Sequence, residues 1–245
     1  MPLLALAFLV TALLYASVGF GGGSTYSALL ALAGFDYRLL PILSLACNIL
    51  VVSGSSWRFA RAGVTPWRGA LGLTALGAPA ALLGGLTPIG QTAFLALLGT
   101  SLLVTAAAMF VPQRQDDTGE GRRRSWVVWS ALPLGYLAGL VGIGGGIFLA
   151  PLLHLARWDN ARAVAAAASL FILVNSLFGL AGQLLKTGGD AFGQALYGNL
   201  PLLLAVVIGG QIGGLLAIRV LPLRAIRWMT AILVAFVGGR LLLGL

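Results

Sequence analysis

The sequence predicts an all-α, polytopic membrane protein, and three features support that fold class. Of the 245 residues, 59% are hydrophobic and only 9% are charged, whereas roughly 25% are charged in an ordinary soluble domain. A soluble core of this length cannot bury so much apolar surface, and a disordered chain would have the opposite balance. Eight spans of about 20 residues would leave enough chain for connections.

Apolar runs between the charged residues define the elements of the first half. Residues 2–35 contain no charged side chain, and as one helix they would be about 50 Å long, against roughly 30 Å for the hydrocarbon core. The string GFGGGST at residues 19–25 lies in the middle of this stretch, where a continuous helix would be costly. We therefore expect a broken helix there. The next three apolar runs each predict one membrane helix, at about residues 39–57, 69–87 and 89–111.

The second half restarts the same pattern after a polar linker. Residues 112–125, PQRQDDTGEGRRRS, are the only long polar segment of the sequence. The stretch at 126–156 is uncharged apart from His154 and is interrupted by the string GIGGG at residues 142–146. Three further apolar runs each predict one membrane helix, at about residues 163–185, 196–218 and 225–243.

Similarity between the two halves indicates an internal repeat. The glycine strings at 19–23 and 142–146 match at an offset of 123 residues, and Asp36 falls on Asp159 at the same offset. Repeats with glycine-interrupted helices at matching positions are the best sequence indication of a transporter site. The predicted organisation is a first transmembrane repeat over 1–111, a cytoplasmic linker over 112–125 and a second transmembrane repeat over 126–245.

The distribution of Lys and Arg favours a re-entrant course for both broken segments. If each broken segment crossed the membrane once, the basic residues would divide nine to six between the two sides. If each forms a V that enters and leaves on one face, the division becomes twelve to three, which is a strong positive-inside signal. The V arrangement leaves three full crossings per half. The halves are then expected to be inverted repeats, with both termini extracytoplasmic.

Composition also restricts the chemistry. One Cys and one His cannot form a disulfide or a soft-metal site, so no metal and no cofactor are expected. The net charge of +9 is typical of cytoplasmic loops that face anionic lipid, rather than of nucleic-acid binding. All six carboxylates fall in loops or at helix ends, so the sequence offers no evident proton relay at membrane depth.

The two glycine strings are the strongest candidates for a binding site. In a V, each string precedes a helix start, near Ser24 in the first half and near Ile147 in the second. The free N–H groups and positive dipole end of a helix start attract an anion, and glycine lets the ligand reach the backbone. The alternative is that these glycines only allow tight turns or close helix packing. The residues assigned to the anion site are Gly21, Gly22, Gly23, Ser24, Thr25, Gly144, Gly145 and Gly146.

Polar side chains in the following helices form a second group of candidates. Ser44 and Asn48 are four residues apart and share a helix face. Ser169 and Asn175 lie in the corresponding run of the second half. Hydroxyl and amide groups can bind an oxyanion without introducing a fixed charge, but such groups also often bond only between helices. An offset of 125 aligns Ser44 with Ser169 and leaves the two asparagines displaced by two positions.

Three segments of the chain resemble a known family. The strings YASVGFGGGSTYSALLAL (15–32), GLVGIGGGIFLAPLL (139–153) and ASLFILVNSLFGLAG (168–182) resemble the sulfite exporter TauE/SafE family, also called the toluenesulfonate uptake permease family. The resemblance covers essentially the whole chain. It implies a multi-pass permease of the bacterial inner membrane for sulfur-containing oxyanions or organosulfonates. The second glycine motif departs from the first, because Ile147 and Phe148 stand where the first has Ser24 and Thr25.

The expected function is therefore a permease that exports a small sulfur-containing oxyanion such as sulfite. Its expected partners are that anion and the lipid bilayer, and no nucleic acid is expected. The sequence does not decide whether the protein forms a homodimer. An anion channel would share the same site residues. A membrane enzyme or assembly factor of sulfur metabolism is the other alternative, although one His and six peripheral carboxylates supply no catalytic set.

The charge distribution generates a topology prediction. The segments 57–68, 112–125, 157–162 and 219–227, which carry the twelve basic residues, should all be cytoplasmic. Single cysteines introduced into these segments of a Cys47→Ala protein should react with impermeant maleimide only from the cytoplasmic side. Cytoplasmic labelling of both 36–38 and 157–162 would contradict the V arrangement.

Overall fold

The computed structural model describes residues 1–110, 125–216 and 223–244, and these residues form helices joined by short turns. The all-α prediction is confirmed. Of the predicted linker at 112–125, only Ser125 is among the described residues, where it begins a helix. The first half contains α1 (Pro2–Val18), α2 (Gly23–Leu32), α3 (Leu40–Arg61), α4 (Trp67–Leu86) and α5 (Gln91–Phe110). The second half contains α6 (Ser125–Val141), α7 (Gly146–Leu155), α8 (Ala161–Thr187), α9 (Gly189–Tyr197), α10 (Leu200–Leu216) and α11 (Leu223–Leu243).

Several helices have the length and composition of membrane spans. Within the described residues, α3, α4, α5 and α8 are long and apolar enough to cross a bilayer. The pair α9 and α10 adds a fifth span if the two are counted together, although they bend by 63° at their junction. The helices α1, α6, α7 and α11 are apolar but shorter in their described parts. This architecture is that of the predicted polytopic helical membrane protein.

The broken helices lie where the glycine strings predict them. The first break separates α1 from α2 at residues 19–22, and the second separates α6 from α7 at residues 142–145. Corresponding ends of these helices differ by 123 residues throughout, the offset that aligns the glycines. The helices after the breaks begin at Gly23 and Gly146, one residue before the predicted starts.

Packing between the helices follows the repeat. Helix α1 packs along α10, and its counterpart α6 packs along α4, which is the counterpart of α10. In the repeat α8 is the counterpart of α3, and α11 is the counterpart of α5. The contacts α3–α8 and α5–α11 therefore each join a helix to its own counterpart. Such an exchange of contacts is typical of two repeats related by a pseudo-two-fold axis. It is consistent with inverted repeats, and their inversion relative to the bilayer stays a prediction.

Glycines bring the equivalent helix pairs into backbone contact. A β-carbon on Gly139 of α6 would overlap the carbonyl oxygen of Ala81 in α4. A β-carbon on Gly213 of α10 would likewise overlap the carbonyl oxygen of Leu13 in α1. Small residues at membrane helix interfaces allow this close approach, from which van der Waals contact stabilises the pair. Much of the high glycine content is therefore used to join the two halves.

This packing generates a stability prediction. Gly139→Val should lower the melting temperature of the purified protein by several degrees, because overpacking against fixed backbone costs about 1–3 kcal/mol. Gly72→Val is the matched control in helix α4, since a β-carbon there would contact nothing within 4 Å. Thermal unfolding monitored by tryptophan fluorescence measures both. Equal melting temperatures would show that the α4–α6 contact tolerates a side chain.

Candidate functional site

Each glycine string ends one helix and begins the next within four residues. Helix α1 ends with Gly19 in the left-handed conformation, where the N–H of Phe20 donates to the carbonyl of Tyr15 at 2.9 Å. The residue before each following helix, Gly22 or Gly145, also has positive φ, at 80° and 76° respectively. A side chain would be strained at both positions. The breaks therefore follow from local backbone requirements.

Both helix starts present unpaired backbone donors. Neither α2 nor α7 has a side-chain cap at its N-terminus, and the first N–H groups of a helix have no acceptor within that helix. In α2 the first intrahelical bond of the described backbone is donated by Tyr26 to Gly22. In α7 the N–H groups of Phe148 and Leu149 share the carbonyl of Gly145. The N–H groups of residues 23–25 and 146–147 are therefore directed out of the helix ends.

The side chain of Asn48 lies between the two breaks. Asn48 is completely buried in α3, and its Nδ2 donates to the backbone carbonyl of Ile143 at 3.2 Å. A β-carbon on Gly144 would lie 2.5 Å from Nδ2, and one on Gly21 would overlap Oδ1. Glycine at these positions thus makes room for the amide. Through Asn48 the first half of the chain contacts the glycine string of the second.

A small cavity lies at this junction. Its volume is about 10 Å³, enough for about one water molecule. None of its lining residues is an acid or a base, so the polar groups around it are neutral. The lining residues are Tyr15, Phe20, Gly21, Gly22, Gly23, Ser24, Asn48, Ile143, Ile147 and Ile172.

One of the three predicted hydroxyl groups at the start of α2 remains available to a ligand. The Ser24 hydroxyl lines the cavity, is buried and has no hydrogen-bond partner among the described residues. The Thr25 hydroxyl instead bonds with Tyr15 Oη at 2.9 Å. Ser44 donates to the carbonyl of Gly23 at 2.9 Å. Thr25 and Ser44 therefore hold the start of α2 in place, while Ser24 is free to bind.

The predicted residues of the second half lie outside the cavity lining, the glycines 144–146 as well as Ser169 and Asn175. Ser169 bonds with the Ser56 hydroxyl at 2.9 Å and so joins α8 to α3. Asn175 is buried against α4, where a β-carbon on Gly77 would lie 2.9 Å from its Oδ1. Both side chains sit at helix interfaces. The Ser169 hydroxyl bonds across its interface, whereas the Asn175 amide is buried without a hydrogen-bond partner among the described residues.

The structural counterpart of Asn48 is Ile172. In the first half Asn48 contacts Gly21 and Gly23, and in the second half Ile172 contacts Gly144 and Gly146. An offset of 124 relates Asn48 to Ile172, between the offsets of 123 and 125 read from the sequence. At these equivalent positions the backbone course is the same, but the side chain is a polar amide in the first half and an apolar isoleucine in the second.

Ser176 belongs to the same polar run of the second half as Ser169 and Asn175 but was not assigned to the site, and it lies near the second break, outside the cavity lining. Its hydroxyl is fully buried without a partner in the described structure, and it lies 3.2 Å from the place of a β-carbon on Gly144. Ser176 lies four residues after Ile172 on α8, so both face the second break. The spacing of four residues could have been read from the sequence, but it indicates the position of Ser176 only once Ile172 is known to lie beside the second break.

The described residues hold no group of three or more His, Cys, Asp or Glu side chains that could bind a metal ion. Cys47 is free and buried, and it does not line the cavity. The available chemistry is hydrogen bonding from backbone N–H groups, hydroxyls and one amide. An arrangement of this kind can bind an anion.

Comparison with known proteins identifies the family of the chain. The sulfite exporter TauE/SafE family matches residues 3–241. The chain is 34% identical to a protein of Sinorhizobium fredii described as a probable membrane transporter protein, y4hK, over 98% of this chain and 97% of that protein. No solved structure matches the chain. The chain belongs to the sulfite exporter TauE/SafE family of membrane transporters.

Proposed function

We propose that this transporter exports a small sulfur-containing oxyanion, sulfite or a short organosulfonate, across the bacterial inner membrane. The observation that carries the proposal is the meeting of two glycine-broken helix starts at one buried, uncharged cavity. Helix starts attract anions through their free N–H groups and their dipoles. The family and its Sinorhizobium relative support transport, and the geometry supports an anion as the transported species.

The proposed binding site uses neutral donors. The oxygen atoms of the anion would accept hydrogen bonds from the N–H groups at the start of α2 and from the Ser24 hydroxyl. The helix α7 start and Ser176 face the same region from the second half. Because no basic side chain lines the cavity, the anion would bind without an ion pair and could leave again readily.

Binding requires the two halves to separate locally. A cavity of about 10 Å³ holds about one water and is too small for a sulfonate group. The bond from Asn48 to Ile143 joins α3 to the second break, and in the proposed cycle it is kept while the cavity widens around the anion. Movement of one half against the other would then expose the site to each side in turn.

Membrane potential would drive the proposed export. No carboxylate lines the cavity, and the described carboxylates Asp36, Asp159 and Asp190 lie in turns or in the first turn of a helix. An inside-negative potential favours exit of a monoanion by about 2.3 kcal/mol per 100 mV. Export of an anion therefore needs no coupled ion.

Substitution of the first glycine of α2 tests the site. A β-carbon on Gly23 would lie 2.5 Å from the Ile143 carbonyl oxygen and would overlap the Asn48 amide. Gly23→Ala should therefore reduce sulfite flux at least about tenfold, a change of about 1.4 kcal/mol. Gly189→Ala is the matched control, because Gly189 begins α9 and has nothing within 4 Å of its β-carbon position. Flux is measured in proteoliposomes made from protein with a normal melting profile, and normal flux in Gly23→Ala would remove the first break from the mechanism.

The absence of a carboxylate from the cavity lining generates a prediction about coupling. In proteoliposomes, a potassium–valinomycin potential should change the rate of anion flux, and the flux should carry net charge. A pH gradient at zero potential should have no effect beyond its effect on the protonation of the substrate. Flux that follows the pH gradient after this correction would contradict uncoupled export. Flux that does not saturate with substrate would identify an anion channel instead.

A further inference from the structure

The orientation of the Asn48 amide is determined by its backbone partner. Nδ2 donates to the carbonyl oxygen of Ile143 at 3.2 Å. A reversed amide would place Oδ1, which can only accept, against another acceptor. Oδ1 therefore points to the other side, where it lies beside Gly21 in the lining of the cavity.

This carbonyl oxygen is an unsatisfied acceptor. Asn48 is completely buried, and its Oδ1 has no hydrogen-bond partner among the described residues. Leaving a buried acceptor unpaired is unfavourable, and the great majority of buried polar groups have a partner in the protein or an ordered water. The adjoining cavity has room for about one water, which can donate to Oδ1 when no substrate is bound.

A ligand that enters the cavity must replace that water. Displacing an ordered water with a group that cannot reproduce its hydrogen bonds lowers affinity. The Ser24 and Ser176 hydroxyls can turn to donate or accept, so they adapt to the ligand. Oδ1 cannot adapt, because its partner Nδ2 is held by Ile143. The site thus combines several donors with one fixed acceptor.

We propose that the site selects monoanions that carry a hydrogen-bond donor of their own. The oxygen atoms of such a ligand accept from the helix starts, while an O–H or N–H group of the same ligand donates to Asn48 Oδ1. Hydrogen sulfite, sulfamate and short sulfonates with a hydroxyl group have this combination. Sulfite dianion, sulfate and alkyl sulfonates lack the donor and would leave Oδ1 unpaired. This inference rests on the proposed oxyanion transport and names its substrate class.

Two matched ligand pairs test the proposal on the purified protein. Sulfamate and methanesulfonate are close in size and both are monoanions near neutral pH, but only sulfamate has N–H donors. Hydroxymethanesulfonate and ethanesulfonate form a second pair that differs in an O–H group. Isothermal titration of the purified protein in lipid nanodiscs should give at least about tenfold tighter binding for the donor-bearing member of each pair, because a site that hydrogen-bonds a ligand group strongly rejects the analogue that lacks it.

Substitutions of Asn48 test whether its side-chain amide causes the selectivity. Asn48→Leu keeps a side chain of similar size without an acceptor, so it should bring the affinity ratio of each pair close to one. Ser24→Ala is the matched control, because it removes an adaptable hydroxyl of the same cavity and should weaken all four ligands while leaving the ratios unchanged. Asn48→Ala provides a second variant if the leucine variant does not fold.

The outcomes separate this proposal from the proposed function. Equal affinity within both pairs in the unmodified protein would overturn donor selection and leave oxyanion transport standing. Unchanged ratios in the folded Asn48 variants would also overturn it, since the selectivity would then arise elsewhere. Binding of none of the four sulfonates, together with no flux of sulfite at any pH, would overturn the proposed function itself.

Discussion

The hydrogen bond from Asn48 to the Ile143 carbonyl is the contact on which the central part of the molecule depends. Non-helical backbone at membrane depth is stable only where protein or water satisfies its polar groups. Asn48 supplies a donor to the second break from a helix of the first half, across 95 residues of sequence. The glycines on either side make room for its amide. One neutral side chain therefore contacts both breaks.

Close packing of α6 against α4 and of α1 against α10 brings Asn48 within reach of Ile143. Backbone-to-backbone contacts at Gly139 and Gly213 hold α6 against α4 and α1 against α10. Each of these pairs unites one half with the other, so neither half is built independently of its partner. Ser44 and Ser169 add hydrogen bonds that fix α3 to the start of α2 and to α8. The helix starts consequently face a cavity whose lining contains no charged side chain.

The repeat conserves backbone course and changes side-chain chemistry. Gly22 and Gly145 have the same left-handed conformation and begin equivalent helices. Yet Asn48 and Ser24 lie at the first break, whereas Ile172 and Ile147 occupy the corresponding positions at the second. A symmetric scaffold thus produces an asymmetric cavity. At these positions the amide and hydroxyl of the first half are replaced by isoleucine in the second.

The sequence by itself determined the fold class, the family and the two helix breaks. The breaks could be located to within one residue because a glycine that must adopt positive φ is a local requirement of the backbone. Most helices could also be predicted from the local sequence, because each of them coincides with a run of apolar residues. The bend between α9 and α10 at residues 198–199 was missed, since the apolar run that predicted a helix at 196–218 continues through it.

Only the tertiary structure decided which polar side chains reach the cavity. Asn48, Asn175, Ser44 and Ser169 have similar sequence surroundings, and helical periodicity alone does not say which neighbour each helix face meets. Asn48 lines the cavity because α3 passes between both breaks, whereas Asn175 is turned toward Gly77 of α4. The unpaired Asn48 Oδ1 also depends on a partner 95 residues away. Contacts at that separation arise from how the two halves pack, and no local pattern in the sequence encodes them.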